Sequence, residues 1–199
     1  MDYPLPMTEH ARTTWQFAMD RLGCAIFNHS VRTYLHARRE ASRLELAAGR
    51  DYDEELLLCA CLLHDIGTAE EFDGPQRFEV EGADAAVTLL SSLGFGTAET
   101  QQVWQAISLH TSPGIAERMG PLTLLLRRGV VADFSAHGGA SEIEQLHQAY
   151  PRSQVEIALA DAVVAQALGN SAKAPASSWP GGLLRAHLAD PDELTNSAF

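Results

Sequence analysis

The sequence predicts an all-α fold, and three observations lead to that prediction. Apolar residues recur at helical spacing along most of the chain, no segment alternates as a strand does, and Gly or Pro separates the periodic stretches. The 199 residues are 46% hydrophobic and 20% charged, which suits one domain with a sizeable core. We expect residues 1–199 to form one helical domain, with a core over about 25–135 and C-terminal helices and an arm over 141–199.

The first two helices are predicted on either side of Gly23. The first covers about residues 8–22. The second begins near Asn28, a residue type that caps helices well, and runs to about residue 48, where a glycine follows. Charged residues, Arg32 among them, alternate with the apolar positions of this second helix. One face of it is therefore expected to be exposed to solvent.

The third helix has the clearest signals of all. Asp53 is a suitable N-cap, and the acidic residues after it suit the positive end of a helix. Residues 56–63 are then apolar on every side, which predicts a central, buried helix. Cys59 and Cys61 lie in this stretch and diverge around the helix axis, so we expect buried hydrophobic side chains and no zinc pair.

The remaining chain divides at its turn residues into further helices. A polar loop follows the third helix, and Gly or Pro punctuates the segments after it. Beyond residue 170 the composition shifts to Ser, Ala, Pro and Gly, which indicates a loop and an arm that wraps the body, with a disordered tail as the alternative. The expected helices cover about residues 78–93, 97–110, 121–134, 141–150, 153–168 and 183–190.

Charge and cysteine content narrow the function classes. The chain has 14 Lys and Arg against 26 Asp and Glu, a net charge of −12 that argues against nucleic-acid polymers and anionic membranes as partners. The longest apolar run is too short to span a bilayer, and no secretory segment is visible. Three cysteines are an odd number, so we expect a reducing, cytoplasmic setting. A small-molecule substrate is the expected partner, and a homo-oligomer remains open.

His64 and Asp65 are the strongest local indication of chemistry. They directly follow the eight apolar residues of the third helix. Two ionisable groups at the end of a buried helix are costly unless something pairs with them, and one metal ion pairs with both. A purely structural role for the pair is the less favoured alternative.

Further metal ligands should come from other helices. His29 on the second helix and Asp133, an acid at the end of an apolar run, complete a mixed nitrogen and oxygen site in a helical bundle. His36 is the alternative to His29 on the same helix. Seven residues separate the two, which places them about 10 Å apart along the axis, so they cannot both bind one ion. His137 could contribute only if its helix continued past Asp133.

The ordered set His29, His64-Asp65, Asp133 resembles the HD-domain superfamily of metal-dependent enzymes, whose fold is an all-α, HD-domain helical bundle. The resemblance favours His29 over His36. Four segments look like the cyanamide hydratase branch, and the last two are the discriminating ones. They are NHSVRTYLHAR (28–38), LLLCACLLHDIG (56–67), RFEVEGADAA (77–86) and AISLHTSPGIA (106–116).

The resemblance implies a hydro-lyase with one divalent metal ion. Zinc is expected, with Fe²⁺ or Mn²⁺ open, and the implied ligands are His29, His64, Asp65 and Asp133. The implied reaction adds a metal-activated water to the C≡N bond of cyanamide or a nitrile-like compound.

Four residues are candidates for roles towards the reactants. Asp65 is a candidate proton acceptor besides its role as a ligand, and His110 is a candidate acid or hydrogen-bond donor. Thr111 and Glu79, from the two discriminating segments, are candidate substrate-binding residues. Three of them have structural alternatives. His110 would be a histidine that suits the dipole at a helix end, Thr111 a residue that ends the helix, and Glu79 an acid that complements the helix dipole.

Three other functions are alternatives to the hydratase. A metal-dependent phosphohydrolase acting on a nucleotide or other phosphoester is the main alternative, with Arg32 and Arg77 as its candidate basic residues. A non-catalytic binding protein is disfavoured by the complete ligand set. A diiron oxygenase would need more histidines between residues 65 and 133 than His110 alone.

Overall fold

The computed structural model describes residues 5, 8–135 and 141–191, and in these ranges the chain is all-α as expected. No described segment forms a strand. The described residues form nine α-helices, joined by loops and four short 3₁₀ turns. They are α1 (Glu9–Arg21), α2 (Cys24–Arg43), α3 (Glu54–Leu63), α4 (Phe78–Ser92), α5 (Thr97–Leu109), α6 (Pro121–Ser135), α7 (Ser141–Ala149), α8 (Val155–Gly169) and α9 (Trp179–Ala189).

Helix α3 lies at the centre of the bundle. Its residues from Leu56 to Leu63 are all buried, which confirms the interpretation of this apolar run. The Asp53 side chain caps it by accepting a hydrogen bond from the Leu56 amide. Cys59 and Cys61 are buried free thiols, as expected. The helix ends at Leu63 with His64 as its C-cap, so its C-terminal end brings the His-Asp pair into the interior.

Helix α2 differs from its predicted bounds at both ends. It begins at Cys24 with Gly23 as N-cap, so the prediction that Asn28 caps it is wrong. Asn28 is buried one turn into the helix, where its amide nitrogen donates to the Pro151 carbonyl at 3.1 Å. The helix ends at Arg43 instead of residue 48, because Glu45 adopts a left-handed conformation with φ of 57°.

Two glycines let the backbones that carry the site approach closely. A Cβ on Gly129 of α6 would lie 2.3 Å from the Thr33 carbonyl oxygen of α2. A Cβ on Gly67, just after the His-Asp pair, would lie 2.0 Å from the Phe78 carbonyl oxygen of α4. Only glycine permits either contact, and the close packing brings α2, α3, α4 and α6 around one point.

None of the helices in the described ranges combines the length and the apolarity that a bilayer span requires.

Candidate metal centre

Three of the predicted ligands converge on one point. His29 comes from the second turn of α2, and His64 and Asp65 come from the end of α3. One ligand atom from each lies within 4.8 Å of the other two, and all three residues are buried. Nε2 of His29 lies 3.2 Å from Nε2 of His64, and Oδ2 of Asp65 lies 3.1 Å from His64 Nε2 and 3.7 Å from His29 Nε2.

The hydrogen bonds of the two imidazoles fix which nitrogen faces this point. His29 Nδ1 donates to Asp133 Oδ2 at 2.7 Å, and His64 Nδ1 donates to the Cys61 carbonyl at 2.7 Å. In the neutral tautomer each Nε2 then carries a lone pair, and the two lone pairs face each other. Such an arrangement is unfavourable unless a positive charge lies between them.

The geometry fits a divalent cation. Two nitrogens bound at 2.0–2.1 Å in a tetrahedral site are separated by roughly 3.3 Å, close to the spacing of the two Nε2 atoms. Oδ2 of Asp65 is buried and has no hydrogen-bond partner among the described residues. An unsatisfied buried carboxylate oxygen beside two lone pairs is a donor set that a metal ion completes.

The electrostatics of the group agree with that fit. Burial lowers the pKa of His29, although Asp133 acts in the opposite direction, so its imidazole is neutral near pH 7. Burial alone would raise the pKa of Asp65, but His64 and His110 outweigh it and hold that pKa well below its usual range. Burial alone would lower the pKa of His64, but the Asp65 carboxylate outweighs it and the pKa is raised. The point between them therefore favours positive charge.

Asp133, the fourth predicted ligand, stands behind His29 instead of joining this group. Its Oδ1 and Oδ2 accept hydrogen bonds from Arg32 Nε and Nη2 at 2.7 and 2.8 Å, and Oδ2 also accepts the one from His29. The expectation that Arg32 lies on a solvent-exposed face is wrong, because Arg32 is fully buried against Asp133. Its guanidinium also donates to the carbonyls of Tyr150 and Pro151 before α8.

The competing histidine, His36, belongs to the surroundings of Asp133. It is buried, and its Nε2 lies 3.6 Å from Asp133 Oδ1 without a hydrogen-bond partner among the described residues. His36 is therefore a neighbour of Asp133 and is not one of the three converging residues. His137 lies outside the described residues.

A cavity of about 430 Å³ opens onto the three converging residues. His110, at the end of α5, lines it, donates from Nδ1 to the Ile107 carbonyl at 2.6 Å and places Nε2 3.5 Å from Asp65 Oδ1. Thr111 lines the cavity beside it. Much of the remaining wall is apolar, formed in part by Pro113, Val130, Val131, Phe134, Leu159 and Trp179.

Glu79 does not line the cavity but contacts Thr111, which does. It is fully buried near the start of α4 and accepts a hydrogen bond from Thr111 Oγ1 at 2.6 Å. Arg77 pairs with the same carboxylate, through Nη2 at 2.6 Å and Nε at 3.2 Å. The two discriminating segments of the sequence, 77–86 and 106–116, therefore meet at this wall.

The sequence reasoning missed two residues of the cavity. Arg127 on α6 lines it, and its Nη1 donates to the His110 carbonyl at 3.1 Å. The spacing of Arg127 from Val130 and Phe134 places all three on one helix face, which is the signal that could have identified it. Trp179 at the start of α9 brings the C-terminal arm to the cavity and packs on Phe78, with ring centroids 6.1 Å apart.

Comparison with known proteins agrees with the all-α fold. Residues 26–165 match the HD domain family, whose members are generally metal-dependent enzymes. A search of the curated proteins finds no match. The match spans α2 to α8 and includes the His-Asp pair, His29 and Asp133. Because it covers well over half of the chain, the chain belongs to the HD domain family.

Proposed function

We propose that this HD domain protein is a hydratase that adds water to the C≡N bond of a small compound, cyanamide or a nitrile-like relative. One observation carries the proposal. The two segments that look like the cyanamide hydratase branch meet at the cavity wall, where Thr111 donates to Glu79 and His110 stands beside Asp65. The cavity is larger than a molecule of cyanamide needs, so longer nitriles belong among the candidate substrates.

The proposed metal ligands are Nε2 of His29, Nε2 of His64 and a carboxylate oxygen of Asp65. Two imidazoles and one carboxylate leave an open coordination position, as catalytic zinc sites do, and zinc is the proposed ion. When bound, the ion lowers the pKa of water and supplies hydroxide near neutral pH. Asp133 holds the His29 ring in orientation through Nδ1, as carboxylates behind zinc-binding histidines do.

His110 and Asp65 are the proposed proton-transfer residues. Addition of water forms a C–O bond at the carbon, breaks one C–N π bond and leaves a nitrogen that needs a proton. Nδ1 of His110 is occupied by the Ile107 carbonyl, so Nε2 is the atom that donates this proton. Oδ1 of Asp65 lies 3.5 Å from that Nε2, where it can take up the proton that water loses and return it to His110.

A phosphohydrolase is the second candidate, and Arg127 is the observation that favours it. Arg32 and Arg77 are committed to ion pairs with Asp133 and Glu79. Arg127 lines the cavity and pairs more loosely, with its Nε 3.6 Å from Glu117 Oε1 and without a hydrogen-bond partner among the described residues. A guanidinium in that position suits a phosphate group.

The purified protein separates the two functions directly. Zinc-loaded protein is incubated with cyanamide and short nitriles, and urea or amide is measured beside phosphate release from nucleoside monophosphates. We expect urea or amide and no phosphate. Phosphate release without hydration overturns the proposal in favour of the second candidate, and neither product overturns both.

Replacing His110 with alanine should stop turnover but spare the metal. Loss of a positioned general acid lowers kcat by about 10²–10⁴-fold, whereas the three proposed ligands stay in place. The measurements are kcat and metal content, with His10→Ala as the matched control because His10 is partly exposed on α1 and does not line the cavity. Turnover that survives in His110→Ala, or metal lost along with it, contradicts the role given to His110.

A further inference from the structure

The Thr111 hydroxyl donates its hydrogen to Glu79, so that hydrogen is not available to a ligand. Oγ1 lies 2.6 Å from Glu79 Oε1, and an ionised carboxylate can only accept a hydrogen bond. Arg77 pairs with both oxygens of Glu79, whose side chain is fully buried. The single hydroxyl hydrogen therefore points at Glu79, and the oxygen presents lone pairs to its other neighbours.

The backbone around Thr111 is held in place from two sides. Arg127 Nη1 donates to the carbonyl of His110, and the Ser112 amide donates to the Leu109 carbonyl at 2.8 Å. The one other donor near Oγ1 among the described residues is Arg77 Nη2 at 3.5 Å, the outer limit of a hydrogen bond. Thr111 lines the cavity, and its oxygen has a further lone pair with which it can accept a hydrogen bond from a ligand there.

From this polarity we infer that Thr111 determines specificity by accepting a hydrogen bond from an N–H group of the ligand, and that Glu79 is the positioning residue that sets its direction. The inference rests on the proposed function for the kind of ligand. Among compounds with a C≡N bond, Thr111 should favour those that carry an N–H group on the C≡N carbon over nitriles that carry a carbon group there. An alkyl group leaves the Thr111 oxygen without a partner, and an unsatisfied polar group disfavours binding.

Cyanamide and acetonitrile are a matched pair for this test, because they differ only by NH₂ against CH₃. Ligand preference is measured as the ratio of kcat/KM in zinc-loaded wild type. It is measured again as the ratio of Kd by calorimetry in zinc-loaded His110→Ala protein, where turnover is expected to be absent. Each Thr111 and Glu79 variant is made in both backgrounds, and thermal unfolding confirms that it folds.

The variants have distinct expected results. Thr111→Val should weaken cyanamide binding about tenfold and leave acetonitrile unchanged, whereas Thr111→Ser keeps the preference. In Glu79→Gln the amide oxygen takes the place of Oε1, which accepts from both Arg77 Nη2 and Thr111 Oγ1 at 2.6 Å, so the hydroxyl keeps its direction and the preference should remain. Glu79→Ala removes this acceptor and frees the hydroxyl hydrogen, so it should lose the preference through KM more than through kcat, although Thr111 is unchanged.

The outcomes separate this inference from the proposed function. Preference for cyanamide in calorimetry without turnover of either compound contradicts the hydratase and supports the role of Thr111. Turnover with the preference intact in Thr111→Val or Glu79→Ala supports the hydratase and overturns the role of Thr111. Binding of neither compound overturns it as well.

Discussion

Replacing His64 with alanine is expected to remove the metal from the protein and, with it, all turnover. Loss of a residue that merely orients a ligand costs 10–100-fold in metal affinity, so loss of a ligand itself should cost more than about 100-fold. His64 is also the member of the group that contacts both others, at 3.2 Å from His29 and 3.1 Å from Asp65. Metal content after dialysis and a competition titration with a chelator measure the change.

The matched control is His187→Ala on α9, which is outside the group and outside the cavity lining. It should bind metal as the wild type does. Metal retained in full by His64→Ala would show that the converging residues are not the site.

The second large effect is expected for Arg32→Met, on stability. Removing one partner of a buried ion pair leaves the other charge uncompensated, and such changes cost about 3–5 kcal/mol. The charge that loses its partner here is the carboxylate of Asp133, which is fully buried and accepts two hydrogen bonds from Arg32. Chemical denaturation measures the free energy of unfolding, and for a domain of this size Tm should fall by about 10 °C or more.

Two controls make this result specific. Arg43→Met removes an arginine of the same helix whose partner, Glu40, lies at the surface, and stability should not change measurably. Arg32→Met combined with Asp133→Leu removes both charges and should recover much of the loss. Equal stability of Arg32→Met and wild type contradicts the buried pair.

The same pair should govern the acid sensitivity of the fold. Burial alone would raise the pKa of Asp133, but the hydrogen bonds from His29 and Arg32, with His36 close by, outweigh it and hold that pKa far below its usual range. A carboxyl whose pKa is lower in the folded than in the unfolded state contributes stability above its unfolded pKa of about 3.9, and that contribution is lost as pH falls. The stability of Arg32→Met should therefore depend less steeply on pH below about 4.

The sequence predicted the helices well where local signals define their ends. Asp53 and the glycines after α4 and before α5 set bounds that the structure reproduces closely. The predicted start of α2 was wrong because the Asn28 side chain does not cap the helix but donates a hydrogen bond to the Pro151 carbonyl. Pro151 is 123 residues away along the chain, so the local sequence does not indicate this contact.

The candidate site was predictable in part for a similar reason. His64 and Asp65 stand out because two ionisable residues end an apolar helix. The burial of Arg32 could not be predicted from the sequence, because an arginine on an amphipathic helix usually faces water. Its partner, Asp133, is 101 residues away along the chain. Glu79 and Thr111 were chosen as binding residues from the resemblance, but their order, one behind the other, depends on the packing of α4 against the end of α5.

The most direct test is a crystal structure of zinc-loaded protein with anomalous diffraction recorded at the zinc edge. We predict one anomalous peak per chain, in contact with Nε2 of His29, Nε2 of His64 and a carboxylate oxygen of Asp65, with Asp133 still bound to Arg32. A peak elsewhere, or none between these three side chains, contradicts the metal centre on which the proposed chemistry depends.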